Sequence, residues 1–195
     1  MARPRTFDEQ QVLTAAMHAF RRQGFARTSV VDLEQATGLR TSSLYQAFGD
    51  KTGLFRRALE HYVEQVVGTR LAAHAGPDAG LDDLEQLFLT LFLPPLDDGH
   101  GCLLVNSAAE FGGDGTVPGH RVADGLALVR HAVAEVVRRE LGDDRAGPAA
   151  ARLDLLYHGL LVLSRAGQLT GGHEAAVRRE FDALRAATRR PEEDA

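Results

Sequence analysis

The sequence contains a single cysteine, Cys102, so an intramolecular disulfide is excluded. It has no tryptophan, and no apolar run approaches the roughly 18 residues that a membrane-spanning helix needs. The N-terminus, MARPRTFDEQQ, carries basic residues without the apolar stretch of a secretory signal behind them. These absences favour a cytoplasmic protein with no membrane partner.

Signatures of catalysis and of metal binding are also missing. There is no nucleophile motif, no Gly-rich phosphate loop and no paired-carboxylate site. The eight histidines are scattered, without a His-x-x-x-His spacing, which argues against a structural zinc. We therefore expect neither an enzyme nor a protein with a resident cofactor or metal. An enzyme that uses Cys102 with His100 or another histidine is a remote alternative.

Charge is divided unevenly along the chain, whose net charge is -5. Residues 1–57 hold nine basic and five acidic residues, a net charge of +4, which leaves -9 for the remainder. A basic head on an acidic body suits a protein that attaches to a polyanion by one end only. Lys51 is the only lysine, and every other basic residue is an arginine.

Apolar residues recur at helical spacing along nearly the whole chain, and no segment alternates as a strand does. The pattern predicts an all-α fold of about nine helices, with Gly24, Gly38 and Gly49 ending the first three. The predicted helices lie at about 8–23, 51–74, 80–93, 102–111, 120–141, 147–170 and 173–189, followed by a polar tail. Two short helices lie between the first two of these, one capped by Thr28 or Ser29 and ending at the Gly38 turn, the other starting at Thr41 or Ser42 and ending at Gly49-Asp50.

The stretch TSVVDLEQATGLRTSSLYQAFGDKTGLF, from Thr28 to Phe55, predicts two short helices around a glycine turn and then a longer helix. The second short helix turns its apolar residues inward and leaves short polar side chains on its outer side. A helix that enters a DNA groove needs this combination. We therefore predict a three-helix helix-turn-helix DNA-binding domain at 1–50 and a second helical domain at 51–195.

The outer residues of the second short helix are candidate DNA contacts. Thr41, Ser42 and Ser43 lie at its N-terminus, where hydroxyl and free backbone N–H groups reach phosphate oxygens. Gln46 is the outward residue able to make a bidentate contact, with adenine as the preferred partner. The remaining candidates are Arg40, which precedes the helix and suits guanine or phosphate, Tyr45, whose hydroxyl suits the DNA backbone, Thr28, which with Ser29 is a candidate cap of the first short helix, and Lys51, which opens the longer helix. A plain helical hairpin with Ser/Thr caps is the alternative.

The apolar first helix ending at Gly24-Phe25, the capped second helix and the sequence GLRTSSLYQAFGDKTGLF resemble the TetR family of bacterial one-component repressors. The resemblance covers about the first 55 residues, where Leu44-Tyr45, Phe48 and Lys51 follow the family pattern. It implies that the third helix lies in the major groove, that Lys51 clamps a phosphate, and that the second domain, at 51–195, serves effector binding and dimerisation. Family members often have glycine where this chain has Ser42, a difference that concerns operator choice rather than fold.

Because one helix-turn-helix contacts few phosphates, we expect a homodimer that binds a roughly palindromic double-stranded operator. The two last helices, at about 147–189, are the predicted dimer face, since segment 152–169 is too apolar to be covered on one side only. Both helices packing within their own subunit is the alternative. The residues predicted for the interface are Leu153, Leu156, Leu160, Leu161, Leu163, Leu169, Phe181, Leu184 and Arg185, with Gly159, Ala166 and Gly167 allowing close helix approach.

The resemblance also implies a repressor that is released by an effector, and a ligand cavity between the long fourth helix and the helices at about 80–141. The residues suit a small, mostly apolar effector, whose identity the sequence leaves open. Plain core packing is the alternative for the apolar members. The candidate lining residues are Phe88, Phe92, Cys102, Asn106, Glu110 and His131, with Leu91, Leu104, Phe111, Val129 and Val133.

The segment GHGCLLVNSAAEFGG places the Cys102 thiol at a predicted helix start, two residues after His100. A helix N-terminus and a nearby imidazolium both favour a reactive thiolate. The segment resembles a TetR subgroup with Gly-Cys at this position, some members of which respond to electrophiles, oxidants or metal ions. A thiol- or soft-metal-responsive repressor is therefore one alternative, and an inert buried cysteine is another.

Overall fold

The structure, a computed structural model, describes residues 7–93, 96–113 and 115–188. Within these ranges it is entirely helical, which confirms the predicted all-α fold. Arg3 and Arg5 of the basic head, the loop at Pro94-Pro95 and the predicted polar tail lie outside the described residues. The helices are α1 Glu9–Gln23, α2 Val30–Thr37, α3 Thr41–Phe48, α4 Lys51–Tyr62, α5 Thr69–His74, α6 Leu81–Leu89, α7 Leu103–Phe111, α8 Val117–Leu141, α9 Asp143–Arg165 and α10 Gly171–Thr188.

The helix predicted at 51–74 is continuous but changes its hydrogen-bond register. A π-helical segment, Val63–Gly68, joins α4 to α5, and a 3₁₀ turn, Thr90–Phe92, extends α6. α9 begins at Asp143, about four residues before the predicted start, because the positive φ of Gly142 (78°) already separates it from α8. None of the helices in the described ranges is both long enough and apolar enough to cross a bilayer.

Contacts divide the chain into two compact units. The first, here called the head unit, comprises Met1–Val66 and Leu103–Gly125. The second, the body unit, comprises Val67–Cys102 and Leu126–Ala195. The head unit is therefore larger than the helix-turn-helix segment alone, because it includes the first part of the long helix, α7 and the start of α8.

The core of the head unit is built around large apolar side chains from α1 to α4. Leu33, Leu44 and Phe55 are fully buried. The Phe55 ring lies 5.0 Å from the Phe20 ring and 5.1 Å from the Phe25 ring in edge contacts, an arrangement that aromatic pairs favour. These ring contacts join α4 to α1 and to the turn after it, and α3 packs on α4 and α2 with Leu44 buried beneath it.

Gly53 sets the close approach of α4 to the end of α3. Asp50 caps α4 by accepting a hydrogen bond of 2.7 Å from the Gly53 N–H. A Cβ atom at Gly53 would lie 2.0 Å from the carbonyl oxygen of Phe48. No side chain fits there, so glycine is required for the junction between the two helices.

We expect Gly53→Ala to lower the free energy of unfolding by about 1–3 kcal/mol, because the added methyl group forces α3 and α4 apart. Gly147→Ala in α9 is the matched control, since a Cβ there meets no atom within 4 Å. The control is expected to be neutral or to stabilise by up to about 1 kcal/mol. Urea denaturation measures both, and equal stabilities for the two variants would contradict the packing argument.

The body unit is organised by an aromatic cluster and an ion-pair cluster. The Phe88 ring lies 5.1 Å from the Tyr157 ring and 5.2 Å from the Phe181 ring. Arg185 of α10 reaches back to α6, with its Nε 2.7 Å from Asp82 and a second nitrogen bonded to Glu85. α6, α9 and α10 are thereby joined into one packed layer.

Candidate nucleic-acid interface

The second helix of the motif begins with a reciprocal cap. The Ser29 hydroxyl accepts from the Asp32 N–H at 3.1 Å, and the Asp32 carboxylate accepts from the Ser29 N–H at 2.7 Å. The hydrogen bonds from Ser29 lower the pKa of the Asp32 carboxyl. This capping box assigns the helix start to Ser29 rather than Thr28.

Thr28, predicted as a DNA contact, is fully buried. Its hydroxyl donates to the Gly24 carbonyl oxygen at 2.6 Å and closes the turn after α1. The hydroxyl is therefore engaged inside the protein and has no surface at which to meet a phosphate.

A carboxylate from α2 occupies the N-terminus of α3. Glu34 accepts hydrogen bonds from the Thr41 hydroxyl, at 2.6 Å, and from the Thr41 backbone N–H. These bonds, that of the hydroxyl first, hold the pKa of Glu34 below its ordinary value of 4.5. An anion at a helix N-terminus also stabilises the helix dipole. Glu34 therefore anchors α3 to α2, and Thr41 belongs to this anchor.

The other predicted DNA contacts lie together on the outer side of α3. Leu44 is fully buried and holds the inner side, whereas Arg40, Ser42 and Gln46 are exposed. Ser43 and Tyr45 are half-buried. The outer side of α3 is thus a short polar surface with Arg40 at its N-terminal end.

Lys51 is seated on an aromatic ring beside this surface. Its Nζ lies 4.4 Å from the centre of the Phe25 ring, a cation–π contact. Phe25 belongs to the turn that links α1 to α2, and its ring also packs edge-on against Phe55 at 5.1 Å. The ammonium is therefore held at the start of α4 by a ring that the head-unit core fixes in place.

Helix α7 holds the same turn from its other side. The Glu110 carboxylate accepts from the Phe25 N–H at 2.9 Å and from the Ala26 N–H at 2.7 Å. Asn106 donates to the Arg21 carbonyl at 3.2 Å, and the Phe111 ring lies 5.0 Å from the Phe25 ring. We call Asn106, Glu110 and Phe111 the α7 clamp.

The α7 clamp requires Gly24. A Cβ atom there would lie 2.5 Å from a Glu110 carboxylate oxygen, and the φ of Gly24 is +83°. Asn106 and Glu110 were predicted to line a ligand pocket. The structure instead engages both side chains with the backbone of the α1–α2 region, within the head unit.

Of the other predicted pocket residues, Leu104 and Phe111 belong to the head unit, whereas Phe88, Phe92, Cys102 and His131 belong to the body unit. Phe88 is buried in the aromatic cluster, Cys102 is 7% exposed, and His131 is exposed on α8. Phe92 alone among them lines a cleft of about 380 Å³, a size within the range of small-molecule sites. The other lining residues include Asp97, Ser164, Leu169, Thr170 and Glu174.

No group of three or more His, Cys, Asp or Glu side chains within the described ranges is arranged to hold a metal ion.

The exposed apolar face of α9 differs from the one that the sequence suggested. Several residues predicted for the interface are buried within the body unit, and Phe181 packs against Phe88. Leu155 (75% exposed) and Val162 (54% exposed) are instead the large apolar residues on the surface of α9. They lie seven residues apart on one helix face. On the same face, exposed Gly159 lies between them and exposed Ala166 follows Val162 by one turn. We call these four residues the α9 stripe.

Comparison with known sequences identifies relatives of the head region. The family described as "Bacterial regulatory proteins, tetR family" matches residues 12–58. The HTH-type transcriptional repressor ComR of Escherichia coli (strain K12) is 30% identical over 116 residues, 57% of this chain and 55% of ComR. BdcR, another HTH-type transcriptional repressor of that organism, is 44% identical over 61 residues, 31% of each chain. The chain thus spans about half of ComR and about a third of BdcR.

A third relative covers more of the chain. The uncharacterised HTH-type transcriptional regulator YezE of Bacillus subtilis (strain 168) is 28% identical over 174 residues, 88% of this chain and 77% of YezE.

Solved structures match nearly the whole fold. A cysteine mutant of the TetR family transcriptional regulator CifR, complexed with a 26-bp double-strand operator DNA, superposes with a TM-score of 0.75 at 25% identity. The match covers 93% of this chain and 99% of that one. SCO4454, a TetR-family transcriptional regulator from Streptomyces coelicolor, has a TM-score of 0.74 at 17% identity, covering 92% and 93% of the two chains. The family resemblance predicted from the sequence is thereby confirmed.

Proposed function

Because its helix-turn-helix region and its fold place this chain in the TetR family of bacterial regulatory proteins, we propose that it is a homodimeric transcriptional repressor. It binds double-stranded operator DNA and is released by a small-molecule effector. Neither a cofactor nor a membrane partner takes part, and the protein acts in the cytoplasm. The observation that carries the proposal is the exposed polar side of α3 next to Lys51 on the Phe25 ring.

The residues of the proposed DNA face fall into two groups, those that contact phosphates and position the protein on the DNA, and those that contact base edges and read the sequence. Ser42, Ser43, Tyr45 and Lys51 contact phosphates, which sets affinity without sequence preference. Gln46 and Arg40 reach base edges in the major groove. Thr41 takes part through its bond to Glu34, which fixes the N-terminus of α3, and Thr28 is left out because it is buried.

Dimerisation supplies the second head. The α9 stripe presents two large apolar side chains separated by a glycine, so a second copy can approach closely across a two-fold axis. Uncovered apolar side chains of this size are unfavourable in water. Pairing of α9 and α10 with their counterparts in a second copy accounts for the stripe.

Effector release is proposed to act through α7. The chain passes from the body unit directly into this helix after Cys102, and the far end of the helix holds the turn that carries Phe25. An effector that binds better to the body of the DNA-free state shifts α7 and unseats Lys51. A coupling of roughly 1–3 kcal/mol is typical of such linkage.

Lys51→Ala and Gln46→Ala test the division of roles on the DNA face. We expect Lys51→Ala to weaken binding to all DNA sequences and to reduce the slope of log affinity against log salt by about 1.8 per dimer, since one phosphate contact is lost in each of the two half-sites. Gln46→Ala is expected to relax base preference at one position per half-site and to leave the salt slope unchanged. Binding titrations over a salt series measure both.

Arg130→Ala, at an exposed position on α8 in the body unit, is the matched control for lost positive charge. It is expected to change neither affinity nor slope. If Gln46→Ala weakens all operators equally, the residue does not read bases, and if Arg130→Ala matches Lys51→Ala, the effect is one of net charge.

A thiol signal at Cys102 is the second candidate for the input, because Cys102 immediately precedes α7. Burial of the side chain means that an oxidant or electrophile must enter the body unit to reach it. We expect Cys102→Ser to retain operator binding and to lose any release by diamide or N-ethylmaleimide, measured by operator titration. Unchanged release in this variant would remove the thiol from the mechanism.

A further inference from the structure

Arg70 of α5 lies between three elements of the body unit. Its guanidinium donates to the Tyr157 hydroxyl of α9 at 2.9 Å, to the Leu87 carbonyl of α6 at 2.7 Å and to the Thr90 hydroxyl at 2.8 Å. The guanidinium carbon, Cζ, also lies 5.9 Å from the centre of the Tyr157 ring. All of these partners are neutral.

No carboxylate in the described ranges compensates the Arg70 charge. The Arg70 Nε is buried and has no hydrogen-bond partner there either. Arg185 of the same unit is bonded instead to Asp82, Glu85 and Asp182. Arg70 is partly exposed, but its Nε atom is enclosed, and an enclosed donor of a charged group is costly unless it has a partner.

Tyr157 adds a second unused donor at this position. It is 5% exposed, its oxygen accepts from Arg70, and among the described residues no hydrogen bond donated by the phenol is found. Burial raises the pKa of Tyr157, and the Arg70 charge opposes this shift. The phenol therefore keeps its proton and remains a donor at neutral pH.

An oxyanion complements this arrangement. A guanidinium N–H and a phenol O–H are both strong donors to carboxylate oxygens, and surrounding apolar side chains strengthen such charge-assisted bonds. A single arginine with no lysine beside it suits a monoanion better than a doubly charged phosphate. The neighbouring Phe88 ring, 5.1 Å from Tyr157, favours an apolar remainder.

We propose that Arg70 and Tyr157 bind the carboxylate group of a small, largely apolar organic acid that acts as the effector. The inference rests on the proposed function, which supplies the need for an effector. The cleft of about 380 Å³ is lined by Phe92 and Ser164, which follow Thr90 by two residues and Tyr157 by seven, whereas Arg70 and Tyr157 themselves do not line it. Arg70 is also carried by the continuous helix that begins at Lys51, so an anion bound here acts on the helix that reaches the DNA face.

The test compares acids with their neutral amides on the full-length protein. Benzoate, phenylacetate and hexanoate are titrated against benzamide, phenylacetamide and hexanamide while the thermal midpoint is followed. At least one acid is expected to raise the midpoint with saturation, and its amide is expected to have no effect. Arg70→Gln and Tyr157→Phe are each expected to weaken binding of that acid, Arg70→Gln by about 10- to 100-fold.

Arg139→Gln is the matched control, because Arg139, like Arg70, donates to neutral groups, here the carbonyls of Gly76 and Ala79 at 2.9 and 3.0 Å. It is expected to keep the acid response. Equal shifts with acids and amides, no shift with any acid, or a response that survives both Arg70→Gln and Tyr157→Phe would each overturn the inference. Tyr157→Phe keeps the test open should Arg70→Gln fail to fold.

Operator binding by the same preparations separates this inference from the proposed function. If the protein binds an operator but responds to no acid, the carboxylate site is refuted and the proposed function is not. Failure to bind any DNA selectively refutes the regulator, whatever the thermal midpoints show.

Discussion

Replacing Leu155 by arginine is expected to convert the proposed dimer into monomers and to weaken operator binding by roughly 100- to 10,000-fold, the avidity that two linked heads would provide. Leu155 is 75% exposed in the single chain, so the arginine is accommodated without disturbing the body unit. Two arginines facing each other across a two-fold axis would repel and leave the α9 stripe uncovered. Sedimentation and operator titration measure the two effects.

Leu128→Arg is the control, because Leu128 is also an exposed leucine (42%) but lies on α8, outside the α9 stripe. It is expected to remain dimeric with unchanged operator affinity. A Leu155→Arg protein that stays dimeric would place the interface elsewhere. One that is monomeric yet binds the operator normally would refute the two-headed mode of binding.

Replacing Glu110 by alanine is expected to weaken operator binding about tenfold, the size of one charge-assisted hydrogen bond. The reason is indirect, since Glu110 holds the backbone of Phe25 and Phe25 seats Lys51. The effect should therefore depend on Lys51. In a double-mutant cycle, Glu110→Ala and Lys51→Ala together are expected to cost less than the sum of the two single changes.

Glu64→Ala, at an exposed glutamate in the π-helical segment, is the control for lost negative charge and is expected to have no effect. Glu110→Gln keeps an oxygen that accepts one of the two N–H groups and is expected to recover part of the affinity. Strictly additive effects of Glu110→Ala and Lys51→Ala would mean that the α7 clamp does not act through the lysine.

The helices and the outer side of α3 were predictable from the sequence because local rules determine them. Gly24, Gly38 and Gly49 all have positive φ in the structure, which is why each ends a helix. Leu44 faces inward and Gln46 outward, as helical spacing requires. Gly53 carried a signal that was not used, because a glycine inside a helix pattern often marks a close approach.

The contacts that support the site were not predictable in this way. Glu110 bonds to residues 84 and 85 positions earlier, and no periodicity links such partners. Glu34 is seven residues from Thr41, across a turn whose geometry the spacing does not specify. For α9, apolar residues on all sides identify a helix with two covered faces without telling which face turns inward, so Leu155 was missed while Leu153 was assigned to the surface.

The most direct test of homodimeric operator binding is selection of bound sequences from random double-stranded DNA by the purified protein, followed by footprinting of the enriched sequences. The account predicts an inverted repeat, protection of both half-sites, two chains or a multiple of two per DNA, and a steep loss of affinity with salt. No enriched sequence, or a single unrepeated half-site bound by one chain, would contradict a homodimeric operator-binding repressor.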